Sequence, residues 1–168
     1  GKRFDKWMDN YDGVIDHKYY FTNVGYNLKP LDFQGAIGSV QLKKLSMIHQ
    51  KRRANKNNIQ SYFEDIEGVR IPKEHQNSET SWFGVPVICD SYDLKLKLVR
   101  HLESNGIQTR NYFAGNILCH PGYEKLGNWK EYPNANKVLR QVFFVGCSPN
   151  YSTETMEYIE NVLKQFEE

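Results

Sequence analysis

The chain has 168 residues, 39% of them hydrophobic and 25% charged, and 22 Lys and Arg stand against 20 Asp and Glu for a formal net charge of +2. A chain of this length can bury a self-supporting core, and its balanced charge excludes both the strongly basic nucleic-acid-binding class and the highly charged disordered class. Cys89, Cys119 and Cys147 are widely spaced, odd in number and without a C-x-x-C pair, which argues against a disulfide framework or a self-contained zinc site and points to a reducing cytoplasm.

The first thirty residues alternate aromatics with charge and turn formers (Trp7, Tyr11, Gly13, His17, Tyr19, Gly25, Tyr26) and hold no helical period. They predict an extended arm over 1–30, lying against another part of a larger protein or another subunit. The opening text GKRFDKWMDNYDG is polar where a signal peptide would be apolar, and no run approaches the roughly 18 apolar residues of a membrane span. The absence of an initiating Met before Gly1 fits an expressed segment or a chain cut from something longer.

A long helix is predicted over about 31–64, with Pro30 and Asp32 at its opening turn. Phe33, Ile37, Val40, Met47 and Ile48 recur at helical spacing, and Gly35, Gly38, Ser39 and Leu42 form a strip that lets one face approach a neighbour closely. The basic stretch HQKRRANKNN within it reads as a solvated helix surface, with no nucleic-acid partner.

From about residue 68 onward the text alternates strands and helices. VRIP and SWFGVPVIC read as strands, the second with Pro86 suggesting an edge or a bulge. Asp90 and Ser91 cap a helix over about 92–104 that Asn105-Gly106 ends, and IQTRNYF returns as a strand. A loop-rich stretch leads to the short helix NANKVLRQ, the strand VFFVGC and a last helix over about 153–166, which carries the stripe Met156, Ile159, Val162, Leu163 and Phe166. Together these predict an α+β domain over 31–168, one long helix plus a small, mainly antiparallel sheet with helices on one face.

Self-contained catalysis is absent from the text: there is no G-x-S-x-G, H-E-x-x-H, P-loop or G-x-G-x-x-G, and the five histidines lack ligand spacing. Two clusters carry polar chemistry. Gly25-Tyr26-Asn27-Leu28-Lys29 delivers an amide and a cation just before a helix N-terminus, an arrangement suited to anionic oxygens and equally to a capped loop. Thr109-Arg110-Asn111-Tyr112-Phe113-Ala114-Gly115-Asn116 ends a strand with a guanidinium, amides and a phenol, groups that grip phosphate and sugar hydroxyls and that also occur at plain strand ends.

The order and wording of these segments carry a resemblance. DHKYYFTNVGYNLKPLDFQGAIGSVQLKKL is similar to the segment after the cofactor-attachment region in the DegT/StrS family of pyridoxal-phosphate-dependent nucleotide-sugar enzymes. SWFGVPV and GIQTRNYFAGN match its later strands, so that the similarity spans nearly the whole chain. GKRF, DHKY and R-x-x-F-A-G-N resemble the branch of 3-dehydratases acting on a CDP-linked 4-keto-6-deoxy sugar; aminotransferase members usually carry a His-Tyr pair where this chain has Asn111-Tyr112.

The resemblance implies the C-terminal small domain of an aspartate-aminotransferase-like fold, within a cytoplasmic homodimer of deoxysugar and lipopolysaccharide biosynthesis. It implies that Asn27 reaches the cofactor phosphate of the neighbouring subunit, that Lys29 stands where the family usually has Arg or Lys facing the phosphates of a nucleotide-diphosphate sugar, and that Arg110, Tyr112 and Asn116 line the sugar-nucleotide wall. No catalytic residue and no metal ligand are expected in the chain. Pyridoxal or pyridoxamine phosphate, and an iron-sulfur cluster if the dehydratase branch holds, are expected in the rest of a longer protein, and the chain alone is expected to be inactive. An aminotransferase of the same family, or a binding module that has kept only the small domain, stay open as alternatives.

Overall fold

The computed structural model describes residues 24–26 and 28–166. Most of the expected arm, and Asn27 with it, lies outside the described residues. The elements run α1 (Asp32–Phe63), β1 (Val69–Arg70), β2 (Gly84–Cys89), α2 (Tyr92–Ser104), β3 (Thr109–Asn111), 3₁₀ turns at Ile117–Cys119, Glu124–Leu126 and Trp129–Glu131, α3 (Pro133–Gln141), β4 (Val142–Gly146) and α4 (Thr153–Lys164). The strands form one antiparallel sheet in the order β1-β2-β4-β3. This is the α+β arrangement expected from the pattern of periods.

The chain divides into two units, 1–41 and 42–168, with the boundary inside α1. In the first, the Leu31 backbone N–H donates to the Gln34 side chain at 2.9 Å, the returning half of a capping box. Pro30 stands before the helix, not in its first turn. Phe33, Ile37 and Val40 are exposed, Phe33 at 61%. A Cβ on Gly35 or Gly38 would meet nothing within 4 Å. The close approach predicted for this small-residue face therefore has no counterpart among the described residues of the unit.

In the second unit α1 turns Ile59 and Phe63 into the core. The basic stretch read as solvated is only partly so, because Lys56 is buried. Its amine donates to Gln60 Oε1 at 2.6 Å and lies 5.4 Å from the centre of the Trp82 ring, while Asn55 donates to the Ser148 carbonyl at 2.7 Å. A polar residue type on a helix does not reveal that a strand end will later cross over it.

Strand alternation builds the remaining core. Val85, Val87, Phe143 and Val145 share one face and are buried with Leu98 and Leu102 of α2 and with Met156, Ile159, Val162 and Leu163 of α4. Each fully buried Leu, Val or Phe contributes about 1.5–3 kcal/mol, so this face dominates the unit's stability. Ser91 caps α2 by accepting from the Leu94 N–H, and Ser152 caps α4 by accepting from that of Thr155. Pro86 is tolerated in β2 because β1 pairs only with Cys89 and Ile88, leaving that side of the strand open at Pro86. His101 places Nε2 2.7 Å from the Val162 carbonyl and its ring against Phe166.

No helix among the described residues is long and apolar enough to cross a membrane. No group of three or more His, Cys, Asp or Glu among them could hold a metal ion.

The loop between β1 and β2 is tied to α1 through Glu74. The Thr80 backbone N–H donates to Glu74 Oε1, and Arg53 donates to the same oxygen at 3.2 Å. These bonds, Thr80's foremost and then those of the guanidinium, hold the carboxyl well below its ordinary 4.5, at about 2. A depressed carboxylate stabilises the fold above its unfolded pKa and loses that contribution as pH falls toward the folded one. The Tm advantage of wild type over Glu74→Gln should therefore be complete at pH 6, shrink below about pH 4.5 and vanish near pH 2. A gap that stays constant across that range in thermal unfolding would refute the assignment.

Candidate functional site

β3 is only three residues long, and alternation divides its side chains between the two faces of the sheet. Thr109 pairs with Val145 and Asn111 with Phe143, on the core side; Arg110 pairs with Phe144, which also faces Pro86 of β2, on the outer side. The strand is held at its start by Glu103, whose Oε1 accepts from the Thr109 backbone N–H at 2.7 Å and its hydroxyl at 2.8 Å. Those two bonds, the backbone one first, lower the Glu103 pKa. Arg110 is thus carried on a clamped edge strand with its side chain exposed.

Arg110 lines a groove of about 370 Å³ beside β3 together with Phe144 and Gly146 of β4, Tyr151, and Tyr158 and Ile159 of α4. Its terminal nitrogen donates to the carbonyl of the preceding residue, Thr109, at 3.3 Å. The Gln108 amide, turned to present its oxygen, accepts from both terminal nitrogens at 3.1 and 2.8 Å. These neutral contacts orient the guanidinium, whose charge also acts on the Glu103 carboxylate at the start of the strand. Phe144 is shared with an adjoining recess of about 190 Å³ that Trp82, Phe83, Pro86, Tyr112 and Phe113 line.

The aromatic rings there form one cluster. Phe83 lies 5.5 Å from Phe144 edge-on, Tyr112 lies 5.4 Å from Phe113 and 6.5 Å from Phe144, and Phe113 lies 6.1 Å from Phe144. Such rings normally bury their faces, yet Phe113 is 67% exposed and Phe83 56%. Phe113 also has φ +51°, the one non-glycine residue among those described with positive φ, a conformation costing roughly 1–2 kcal/mol in an L-residue. A cation beside exposed rings can take an anionic head joined to a flat or sugar body.

The turn after Phe113 explains how that strain is held. Gly115 has φ +62°, and a Cβ there would come within 2.6 Å of the Leu139 Cα in α3. Only glycine permits this approach. Asn116 is 3% exposed; its amide nitrogen donates to the Trp129 carbonyl at 3.1 Å and to Asn136 Oδ1 at 2.7 Å, and its oxygen accepts from the Leu118 N–H at 3.1 Å.

Of the residues expected on the sugar-nucleotide wall, the structure brings Arg110 and Tyr112 to one face. It places Asn116 inside, with its amide spent on the loop. Asn111, on the opposite side from Arg110, accepts at Oδ1 from the Lys95 amine. Lys29 is exposed in the first unit, and Asn27 lies outside the described residues. The aromatic partners Phe83 and Phe144 escaped the sequence reading, since each sat inside an apolar strand text that predicts core and nothing more.

A pyridoxal-type cofactor requires a residue at its reacting carbon, a partner for its ring nitrogen and a phosphate cup. The two buried lysines do not meet this. Lys56 is engaged with Gln60, and Lys95 with Asn111 and the Leu139 carbonyl, and neither has a carboxylate beside it among the described residues. The residues described do not form a site for that group.

The sequence profile of the DegT/DnrJ/EryC1/StrS aminotransferase family matches residues 8–164. A dTDP-4-dehydro-2,6-dideoxy-D-glucose 3-dehydratase of Saccharopolyspora spinosa is 33% identical over 169 residues, covering 98% of this chain and 37% of that protein. The lipopolysaccharide biosynthesis protein RfbH of Salmonella typhimurium is 32% identical over 177 residues, covering 99% of this chain and 39% of that protein. The solved structure of Escherichia coli GDP-4-keto-6-deoxy-D-mannose-3-dehydratase with bound hydrated PLP resembles the chain at a TM-score of 0.74 and 30% identity, over 90% of this chain and 41% of that one. The chain spans about two fifths of the length of these relatives.

If Gly115 sets the turn, Gly115→Ala should lower unfolding stability in urea by about 2–4 kcal/mol, the sum of a left-handed alanine and an overpacked contact. Gly122→Ala, whose added carbon meets nothing within 4 Å, should cost under about 0.5 kcal/mol. Equal losses for the two would show that the approach to Leu139 is not a constraint.

Proposed function

The chain belongs to the DegT/DnrJ/EryC1/StrS aminotransferase family, and we propose that it forms the substrate wall of a nucleotide-sugar 3-dehydratase of deoxysugar biosynthesis. The observation that carries this reading is the pairing of Arg110 with the Tyr112, Phe113 and Phe144 rings on one exposed face. The 3-dehydratase names of relatives at 33% and 30% identity support the branch. The rest of the longer protein supplies pyridoxal or pyridoxamine phosphate, which when bound serves as the electron sink of the reaction.

In this reading Arg110 grips a phosphate oxygen pair of the nucleotide sugar, held in aim by Gln108 and by the clamp of Glu103 on Thr109. Tyr112 offers its hydroxyl to the sugar, and the Phe113 and Phe83 rings exclude water beside it. None of these side chains moves a proton in the reaction; they position. Asn27 and Lys29 serve a neighbouring subunit in a homodimer, Asn27 at the cofactor phosphate and Lys29 at the substrate phosphates, a reading that rests on the motif G-Y-N-L-K-P. The exposed Phe33, Ile37 and Val40 of α1 are covered by the remainder of the same protein, since apolar residues repeated on one helical face are selected for burial.

The test uses the full-length protein with its cofactor, assayed for loss of the sugar C3 hydroxyl. Arg110→Lys keeps the charge and removes the fork; it should raise KM for the nucleotide sugar about 10–100-fold, as expected from losing a charge-assisted bond worth about 1.5–3 kcal/mol, with kcat little changed. An unaltered KM would reject the wall assignment. Glutamate-dependent amino transfer in place of dehydration would reject the branch and leave the wall standing. Asn27→Ala should weaken cofactor retention during dialysis, read from the cofactor's absorbance.

A further inference from the structure

On the other side of β3 from Arg110 lies a larger cavity, about 560 Å³, bounded by α2, β3, α3 and the turns that lead into α3. Its volume falls in the range of small-molecule sites, about 300–1,000 Å³. Lys95, one of its lining residues, is only 4% exposed. Its amine donates to Asn111 Oδ1 and to the Leu139 carbonyl, both at 2.9 Å.

Both acceptors are neutral, and an ammonium has three donors, so one N–H is left over. A buried cation is ordinarily paired with a carboxylate. None lines this cavity, whose walls are Tyr92, Leu96, Val99, Trp129, Leu139 and Arg140 with amide and hydroxyl groups from Asn111, Asn136 and Thr109. Burial accordingly pushes the Lys95 amine below its usual pKa, with only Cys89 acting the other way.

The second cation is Arg140, exposed, its guanidinium 5.0 Å from the centre of the Tyr92 ring. Tyr92 and Trp129 give flat walls, each partly open to solvent. The C-terminal end of α3, equivalent to about half a negative charge, offsets the two cations in part. Lys130, its amine 5.8 Å from the centre of the Trp129 ring, adds positive charge at the rim, and the balance suits an anion.

We propose that this cavity binds a small planar aromatic carboxylate, its charge between Lys95 and Arg140 and its ring against Tyr92 and Trp129. The carboxylate supplies the counter-charge that Lys95 lacks and takes up its third N–H. This cavity lies on the opposite side of β3 from Arg110, because Asn111 and Arg110 leave the strand on opposite faces.

The plain alternative is that Lys95 only caps α3 through the Leu139 carbonyl, which requires no ligand. Isothermal titration of the protein with 1-naphthoate and with the neutral isostere 1-naphthamide separates the two. Saturable one-site binding is expected for the carboxylate, with the amide at least about tenfold weaker, as for loss of a charge-assisted bond. Arg140→Gln, an exposed change that leaves the core intact, should weaken naphthoate about 5–20-fold, and Lys95→Met should abolish it.

No saturable heat up to millimolar naphthoate, or equal affinity for acid and amide, would overturn the proposal. So would binding that survives Arg140→Gln and is lost in Arg110→Gln, which would move the ligand to the outer face. If Lys95→Met fails to fold, the Arg140→Gln series and the amide comparison still decide it.

Discussion

The pairing of Arg110 with Phe144 is the constraint on which the rest of the second unit depends. Because a strand's side chains alternate with period two, a slip of one residue would exchange the sheet faces of Arg110 and Asn111. What prevents the slip is local and polar. Glu103, in the last turn of α2, takes both donors of Thr109 and leaves the strand a single register. The apolar face of Val85, Val87, Phe143 and Val145 then enforces the same choice from the other side. A three-residue edge strand has too little pairing of its own to fix its register, and a carboxylate at the end of the preceding helix makes up the difference.

From that register follow two chemically different surfaces on one short segment. The outward residues, Arg110 and then Tyr112, meet rings and solvent. The residues on the other side, buried Thr109 and exposed Asn111, meet polar partners, Thr109 the Glu103 carboxylate and Asn111 the buried Lys95. The lysine in turn reaches the Leu139 carbonyl of α3, and Leu139 is the residue against which Gly115 packs. A chain of contacts therefore runs from β3 through α2 and α3 to the turn after Phe113, so the outer aromatic face is supported from beneath by polar groups that never reach it.

Much of the scaffold was legible from periodicity. α1, α2 and α4 appear within about two residues of their predicted ends, because each pairs an amphipathic stripe with a cap or stop that acts locally: Gln34 beneath Leu31, Ser91 beneath Leu94, Ser152 beneath Thr155. The site was legible only in part. Arg110 and Tyr112 stand out as polar side chains at a strand end, but Asn116 belongs to the same text and turns inward, since its fate depends on Trp129 and Asn136, 13 and 20 residues away. Lys56 and Lys95 look like solvated helix residues for the same reason. Whether an amine is buried is decided by which strand or loop passes over it, and that is a tertiary fact with no local signature.

The strain at Phe113 shows how the two surfaces are linked energetically. A left-handed phenylalanine persists only where its surroundings over-determine it. Here the following residues do so: Gly115 cannot be moved off α3 without losing a contact that admits no side chain, and Asn116 is fixed by three hydrogen bonds. The backbone between β3 and Gly115 has few residues in which to turn, and Phe113 absorbs the turn. Its ring is thereby exposed beside Tyr112 and Phe144 instead of folding under them. Residues 115 and 116 thus keep the backbone in place, and the exposed rings of residues 112 and 113 sit on the turn they fix.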